Sequence, residues 1–340
     1  MSEKGHTVQV QLRTHKPRSS VRLIDNNELE FAFPAIGKDC ILRMNFQRTL
    51  RVPDDEVNNL PPGLDRFELE HVEDYEGRIP QKWLEHGGLM LPMYQAEAMW
   101  ISFRSPREYP FAVRIAAGKI CAVTGDEWKP GLVKGTRVDG GKEQNLQNYL
   151  PVPAQPWIDG FCVEKGVIRQ FVAARLGEGQ TAEEQLTGKS EFGGIQIQVY
   201  PLKKEKRVEE RSFSSYQEDF VLCSRSTLKP SEMGLGAGGR IHQEIYKDRR
   251  EVSDYDTTRS ARAYVHLVNS ADWSRITGLP MPRKPVSAED YIKAGLPWFD
   301  YYSEESAVSG SNTIHRKDSE FSSCAITRPR SYTPDNVSSL

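Results

Sequence analysis

From Val21 onward, apolar and polar positions alternate with a period of two in many short runs broken by glycine and proline, the pattern of half-buried β-strands. "CILRMNFQRTLRV" (40–52) alternates imperfectly and reads as one such strand. "LPPGLDRFELEHV" turns at Pro61-Pro62-Gly63 and extends again. "EAMWISFRS" (97–105) is short and apolar enough to be a core strand or a turn of buried helix, and its length does not decide. In "YPFAVRIAAGKICAVTG", Phe111, Val113 and Ile115 alternate, Ala117-Gly118-Lys119 turns, and Ile120–Val123 returns, which predicts a hairpin. "DGFCVEKGVIRQFVA" predicts a second, with its turn at Glu164-Lys165-Gly166. In "GGIQIQVYPLK", Ile195, Ile197 and Val199 face one way and Gln196 and Gln198 the other, a strand with one wet or functional face. Ala263–Val268 is a further strand.

Helical signals are few. "PQKWLEHGG" has proline for a first turn and Gly87-Gly88 for a stop. "TAEEQLTG" places Thr181 three residues before Glu184, a capping box. "SAEDYIKAGLPW" predicts a helix from Ser287 to about Ala294, ended by Gly295. Strands and helices do not alternate at βαβ spacing, so the expected class is a β-rich α+β fold of short antiparallel strands and hairpins with a few short helices. The expected organisation is a flexible arm over 1–20, holding one alternating run at Val8–Leu12, and one globular domain over 21–302. Whether that domain divides into two packed subdomains stays open. A serine-rich tail over 303–340 has too few large apolar residues to fold.

Composition narrows the function classes. The 340 residues carry 45 basic and 47 acidic side chains, a net charge of -2, which supplies no field to draw in nucleic acid or an acidic membrane. The five cysteines (40, 121, 162, 223 and 324) are odd in number and form no C-x-x-C pair, which argues against a disulfide framework or a four-cysteine zinc site. No signal-peptide pattern opens the chain and no window approaches 18 apolar residues, so the expectation is a soluble cytoplasmic protein with no membrane partner.

"GLGAGGRIHQEIYKD" (234–248) matches the G-x-G-x-x-G string of dinucleotide sites. The context is wrong: Pro230 and a polar run precede it, and no second βαβ unit follows. It reads instead as a tight glycine turn. Gly236, Gly238, Gly239 and Arg240 are candidates for an anion-binding concavity within it. The 157–170 hairpin is the densest mixture of polar and aromatic types, and Trp157, Asp159, Glu164 and Arg169 complete the candidate ligand-binding set. Cys162 lacks a histidine near it in sequence and reads as a buried thiol. His242, Glu244 and His266 are one histidine–carboxylate–histidine combination of the kind that holds non-haem iron, although "IHQEIY" also reads as helical.

"QPWIDGFCVEKGVIRQFVA", "LPMYQAEAMWISF", "MGLGAGGRIHQEIYKD" and "GLPWFDYY" resemble a family of proteins of bacteria and fungi with no assigned activity. The resemblance covers about residues 40–302 and implies no catalytic residue or cofactor. Two function classes follow. The first is a ligand- or partner-binding or assembly protein without a catalytic signature, using the 157–170 hairpin, the Ile195–Val199 strand and the Gly234–Arg240 segment, with self-association left open. The second is an iron-dependent oxidoreductase built on the three candidate ligands. The ligand and any cofactor are not legible.

Overall fold

The structure is a computed structural model and describes residues 7–8, 20–54, 56–139, 142–206, 232–286 and 293. Its principal strands are β1 (Ser20–Ile24), β2 (Glu28–Ala32), β3 (Ile41–Thr49), β4 (Leu89–Met93), β5 (Ala98–Arg104), β6 (Phe111–Ala117), β7 (Ile120–Cys121), β8 (Gly160–Glu164), β9 (Val167–Arg175), β10 (Ile195–Pro201), β11 (Glu232–His242) and β12 (Ala261–Asn269). The helices are α1 (Gln81–His86), α2 (Ala182–Thr187) and α3 (Ser270–Thr277).

β1, β2, β3 and β5 form an antiparallel run that continues into β9. From β9 the antiparallel path goes on through β11, β12, β10 and β6 to β7. Just past β7, Ala122 accepts a hydrogen bond from the Cys162 N–H of β8 at 2.8 Å, and β8 pairs back onto β9. The hydrogen-bonded path therefore returns to its start. β4 runs parallel to β12 from Leu89↔Val265 to Met93↔Asn269. Thr7–Val8 pairs with Arg22 and Val21 of β1.

Side-chain alternation explains why these segments are strands. Phe111, Val113 and Ile115 of β6 oppose Pro201, Val199 and Ile197 of β10, and all but Pro201 enter one buried cluster that takes residues from Val21 to Leu267. On β2 and β3, Leu29 and Phe31 oppose Met44 and Leu42 in the same cluster. The intervening positions carry charge: Glu30 pairs with Arg22 and Arg43, and Glu28 with Arg104.

α1 and α2 lie where their start and stop signals put them, and Thr181 and Glu184 make both bonds of the capping box. α3 was not anticipated. Asn269 caps it through the Ala271 N–H, Gly278 ends it in the left-handed region, and Trp273 and Ile276 bury beside Trp83 of α1.

Three further readings change. "EAMWISFRS" is strand (β5), because Met99, Ile101 and Phe103 supply a period-two buried face. Gly234–Arg240 is not a turn but the interior of β11, and "IHQEIY" begins as the end of that strand rather than as a helix. The glutamine face of β10 is covered rather than wet: Gln198 is 2% exposed, and Gln196 binds the Lys119 N–H and the Gly193 carbonyl. The 287–294 helix (apart from Lys293), Cys223, Cys324, residues 207–212 of the charge run, and the 303–340 tail lie outside the described residues. No helix among the described residues is long and apolar enough to cross a membrane.

Candidate functional site

The two segments singled out from sequence are neighbours. β9 pairs along one edge with β8, where Phe161 faces Arg169, and along the other with β11, where Arg169 faces Arg240 and Val167 faces His242. Between the Arg169↔Arg240 and Phe171↔Ala237 pairs, Gln170 alone opposes Gly238 and Gly239, so the glycine pair is a β-bulge. None of Gly234, Gly236, Gly238 and Gly239 has positive φ. The reason for glycine at 238 and 239 is approach: a Cβ on Gly238 would stand 2.3 Å from Val172 Cγ2, and one on Gly239 2.3 Å from the Pro53 carbonyl oxygen. The bulge turns the Gly238 carbonyl to Arg169, whose guanidinium donates to it at 2.8 Å. Arg240 and Glu164 form an ion pair at the hairpin mouth. Gly238 and Gly239 are thus packing positions, Gly236 is buried within the strand, and Arg240 is held by a carboxylate; this arrangement is not an anion cradle.

Beyond β11, residues 243–248 are fixed by three glutamines. Gln147 Nε2 donates to the Tyr149 and Tyr246 carbonyls while its Oε1 accepts from the Asp248 N–H, each at 2.9 Å. Gln155 repeats the arrangement two residues earlier: Nε2 donates to Trp157 and Glu244 carbonyls, and Oε1 accepts from the Tyr246 N–H. Gln243 points the other way and grips Asp159, donating to its Oδ2 at 2.8 Å and accepting from its backbone N–H at 3.0 Å.

The result is a notch lined by Leu60, Gln155, Trp157, His242, Gln243, Glu244 and Tyr246, with about 10 Å³ of room, enough for one water-sized group. Asp159 lies directly behind Trp157 and Gln243 and is 2% exposed. Burial pushes its carboxyl up to about 7, against hydrogen bonds from Trp157 and Gln243 that hold it down. Both donors are neutral, and among the described residues no cation pairs with it.

Of the ligand-binding candidates, Trp157 lines the notch, Asp159 backs it, Glu164 pairs with Arg240 at the hairpin mouth, and Arg169 is buried in the strand pair. Leu60, Gln155, Gln243 and Tyr246 were missed. One signal was present: "QNY" and "QPW" each put glutamine two residues before an aromatic, and each glutamine bonds that aromatic's carbonyl.

The three candidate metal ligands do not converge. His242 and Glu244 line the notch, whereas His266 sits on β12, which meets β11 only at Glu232 and Met233, the other end of that strand. The His266 ring stacks on Trp83 at 4.6 Å and its Nε2 donates to the Gly87 carbonyl at 3.2 Å. Burial pushes its pKa down to about 3, which keeps it neutral. Among the described residues no three His, Cys, Asp or Glu side chains are placed to hold a metal ion together. Cys162 is buried, and burial pushes its thiol up to about 12, so it is not a nucleophile at neutral pH.

Three of the four stretches that carry the resemblance lie side by side as β5, β8–β9 and β11. No protein-family model matches the chain, and no curated protein or solved structure matches it significantly.

Proposed function

We propose that this is a soluble cytoplasmic binding protein, without a reaction of its own, that takes a single alkylammonium group at the notch between the β8–β9 hairpin and residues 243–248. The ammonium belongs to a small amine or to a lysine side chain of a partner. The observation that carries the reading is a buried carboxyl group, Asp159, whose side-chain donors among the described residues are neutral, directly behind an opening lined by Trp157, Tyr246 and Glu244. A buried carboxylate is costly unless a cation meets it. Aromatic rings favour that cation, and the notch admits one small head group rather than a whole metabolite.

The reading has a pH signature. A bound cation favours the ionised form of Asp159, so affinity rises as pH rises through about 7. The test is titration of the full chain with methylammonium and with a short lysine peptide, following the Trp157 indole N–H by NMR (assigned with Trp157→Phe). Saturable shifts that grow from pH 6 to pH 8 and vanish in Asp159→Asn are expected. Equal shifts from a glutamate peptide, or shifts unchanged in Asp159→Asn, would overturn it. A tighter lysine peptide would make the ligand a protein.

A further inference from the structure

The outer face of β6, β10 and β12 carries a second uncompensated charge, unrelated to the notch. Arg114 of β6 stands opposite Gln198 of β10, and Gln198 stands opposite Arg262 of β12. Cross-strand neighbours on one face are about 5 Å apart at Cβ, so both guanidinium groups approach the same glutamine. In the orientation that satisfies both ends of its amide, the Gln198 oxygen accepts from the Tyr200 hydroxyl at 2.8 Å and from Arg262 at 3.0 and 3.2 Å. Its NH₂ group then faces Arg114, which loses an acceptor there.

Arg114 is 1% exposed. Its guanidinium lies 3.9 Å from the Trp128 ring centroid, donates to the Lys129 carbonyl at 2.7 Å and hydrogen-bonds the Tyr200 hydroxyl, but among the described residues its Nε has no partner. Among the described residues neither Arg114 nor Arg262 meets a carboxylate. The groups that act on the Arg114 charge are Cys121, Tyr200 and Arg262, none of them a carboxylate, and burial lowers its pKa. Other buried charges are matched by an opposite one: Arg48 has Glu97, and Glu30 has Arg22 and Arg43. A desolvated, unpaired guanidinium beside a second guanidinium opposes folding. The missing component is an anion, and two arginine forks with a tyrosine hydroxyl between them are the donor set for a planar or tetrahedral oxyanion.

We propose that Arg114, Tyr200 and Arg262 form a binding site for an oxyanion, a phosphate or carboxylate, with Trp128 as its cover. Arg262 is exposed and meets the ion first. Trp128 is half-buried, in a segment bounded by Gly125 and Gly131, both with positive φ, and displacement of its ring opens Arg114.

The test is a melting-temperature titration of the full chain with inorganic phosphate, phenyl phosphate or acetate, each replacing chloride at constant ionic strength. At least one is expected to raise the melting temperature saturably and to quench Trp128, with binding at least about tenfold weaker in Arg262→Gln. Because Arg262 is exposed, that variant keeps the fold even if Arg114→Gln does not. Phosphate and phenyl phosphate acting alike would identify the free ion, preference for phenyl phosphate an organic phosphate, and preference for acetate a carboxylate. No saturable effect from any of the three, or an effect unchanged in Arg262→Gln, would overturn the site.

Discussion

Alanine at the glycines of β11 separates a packing role from a ligand-cradling one. At Gly239 an added Cβ meets two backbone oxygens, Pro53 at 2.3 Å and Val52 at 2.7 Å, and no side-chain rotation relieves either. At Gly238 the nearest atom is the Val172 Cγ2 at 2.3 Å, with the Gln170 oxygen at a tolerable 3.2 Å. At Gly234 the contacts are side-chain ends, Thr181 Cγ2 at 2.9 Å and Leu176 Cδ2 at 3.1 Å. Overpacking a filled interior costs about 1–3 kcal/mol, while restricting the unfolded chain returns about 0.4–1 kcal/mol. Gly239→Ala is therefore expected to lose about 2 kcal/mol or more net, a fall of about 4 °C or more in melting temperature for a domain of this size. Gly238→Ala loses less, and Gly234→Ala stays within about 1 kcal/mol of the parent. Urea melts of the three variants check the order. Combining Gly238→Ala with Val172→Ala adds a sharper requirement: the double variant loses less than the sum of the singles, because the offending methyl has gone. A Gly239→Ala protein as stable as the parent, or strictly additive losses at 238 and 172, would refute the packing account and reopen a ligand role for the stretch.

Two further outcomes follow from buried charge. Arg48 donates to Glu97 at 2.7 Å and both are buried, so Arg48→Met strands the acid and costs about 3–5 kcal/mol in urea melts at pH 8, with much of the loss recovered by Arg48→Met/Glu97→Leu. Asp159 holds its proton more tightly folded (about 7) than unfolded (3.8), so its contribution is fully present below about pH 4 and is lost as pH rises through 7. Asp159→Asn is expected to match the parent near pH 4 and to exceed it at pH 8, by up to about 4 kcal/mol; equal stability at pH 8 would count against the buried, unpaired carboxyl.

Strands whose two faces differ were legible. β6 and β10 show their alternation in sequence because one face meets the apolar core and the other meets polar groups, while the β8–β9 hairpin shows through its turn at Glu164-Lys165-Gly166. β11 hid because its interior is glycine: with no side chains at four positions there is no period to read, and the need for bareness comes from Val52, Pro53 and Val172, distant in sequence. α3 hid because its eight residues carry a short buried stripe, Trp273 and Ile276, and its cap, Asn269, also ends a strand. The notch was half legible. Trp157 and Asp159 stood out by type, but the clamping glutamines look like surface residues until the backbone they bind is in place.

The same network shows why Asp159 and Arg114 differ from the other buried charges. Glu183, also 2% exposed, meets no cation among the described residues either, yet its carboxylate collects the N–H groups of Glu191, Phe192 and Gly193 at 2.8–3.0 Å and so fastens a turn. Glu28, Glu30 and Glu97 each meet arginine. In every one of these cases the charge has a structural return, an ordered turn or a joined pair of strands. Asp159 has none that a neutral asparagine would not supply, since an amide oxygen accepts from Gln243 and Trp157 equally well. Arg114 returns bonds to the Lys129 carbonyl and the Tyr200 hydroxyl, less than a methionine packed under Trp128 would return in apolar volume, since replacing a poorly matched buried charge is commonly stabilising. Stability alone gives little use for either residue; the cation and anion sites proposed above account for one charge of each sign, each beside groups suited to the opposite charge.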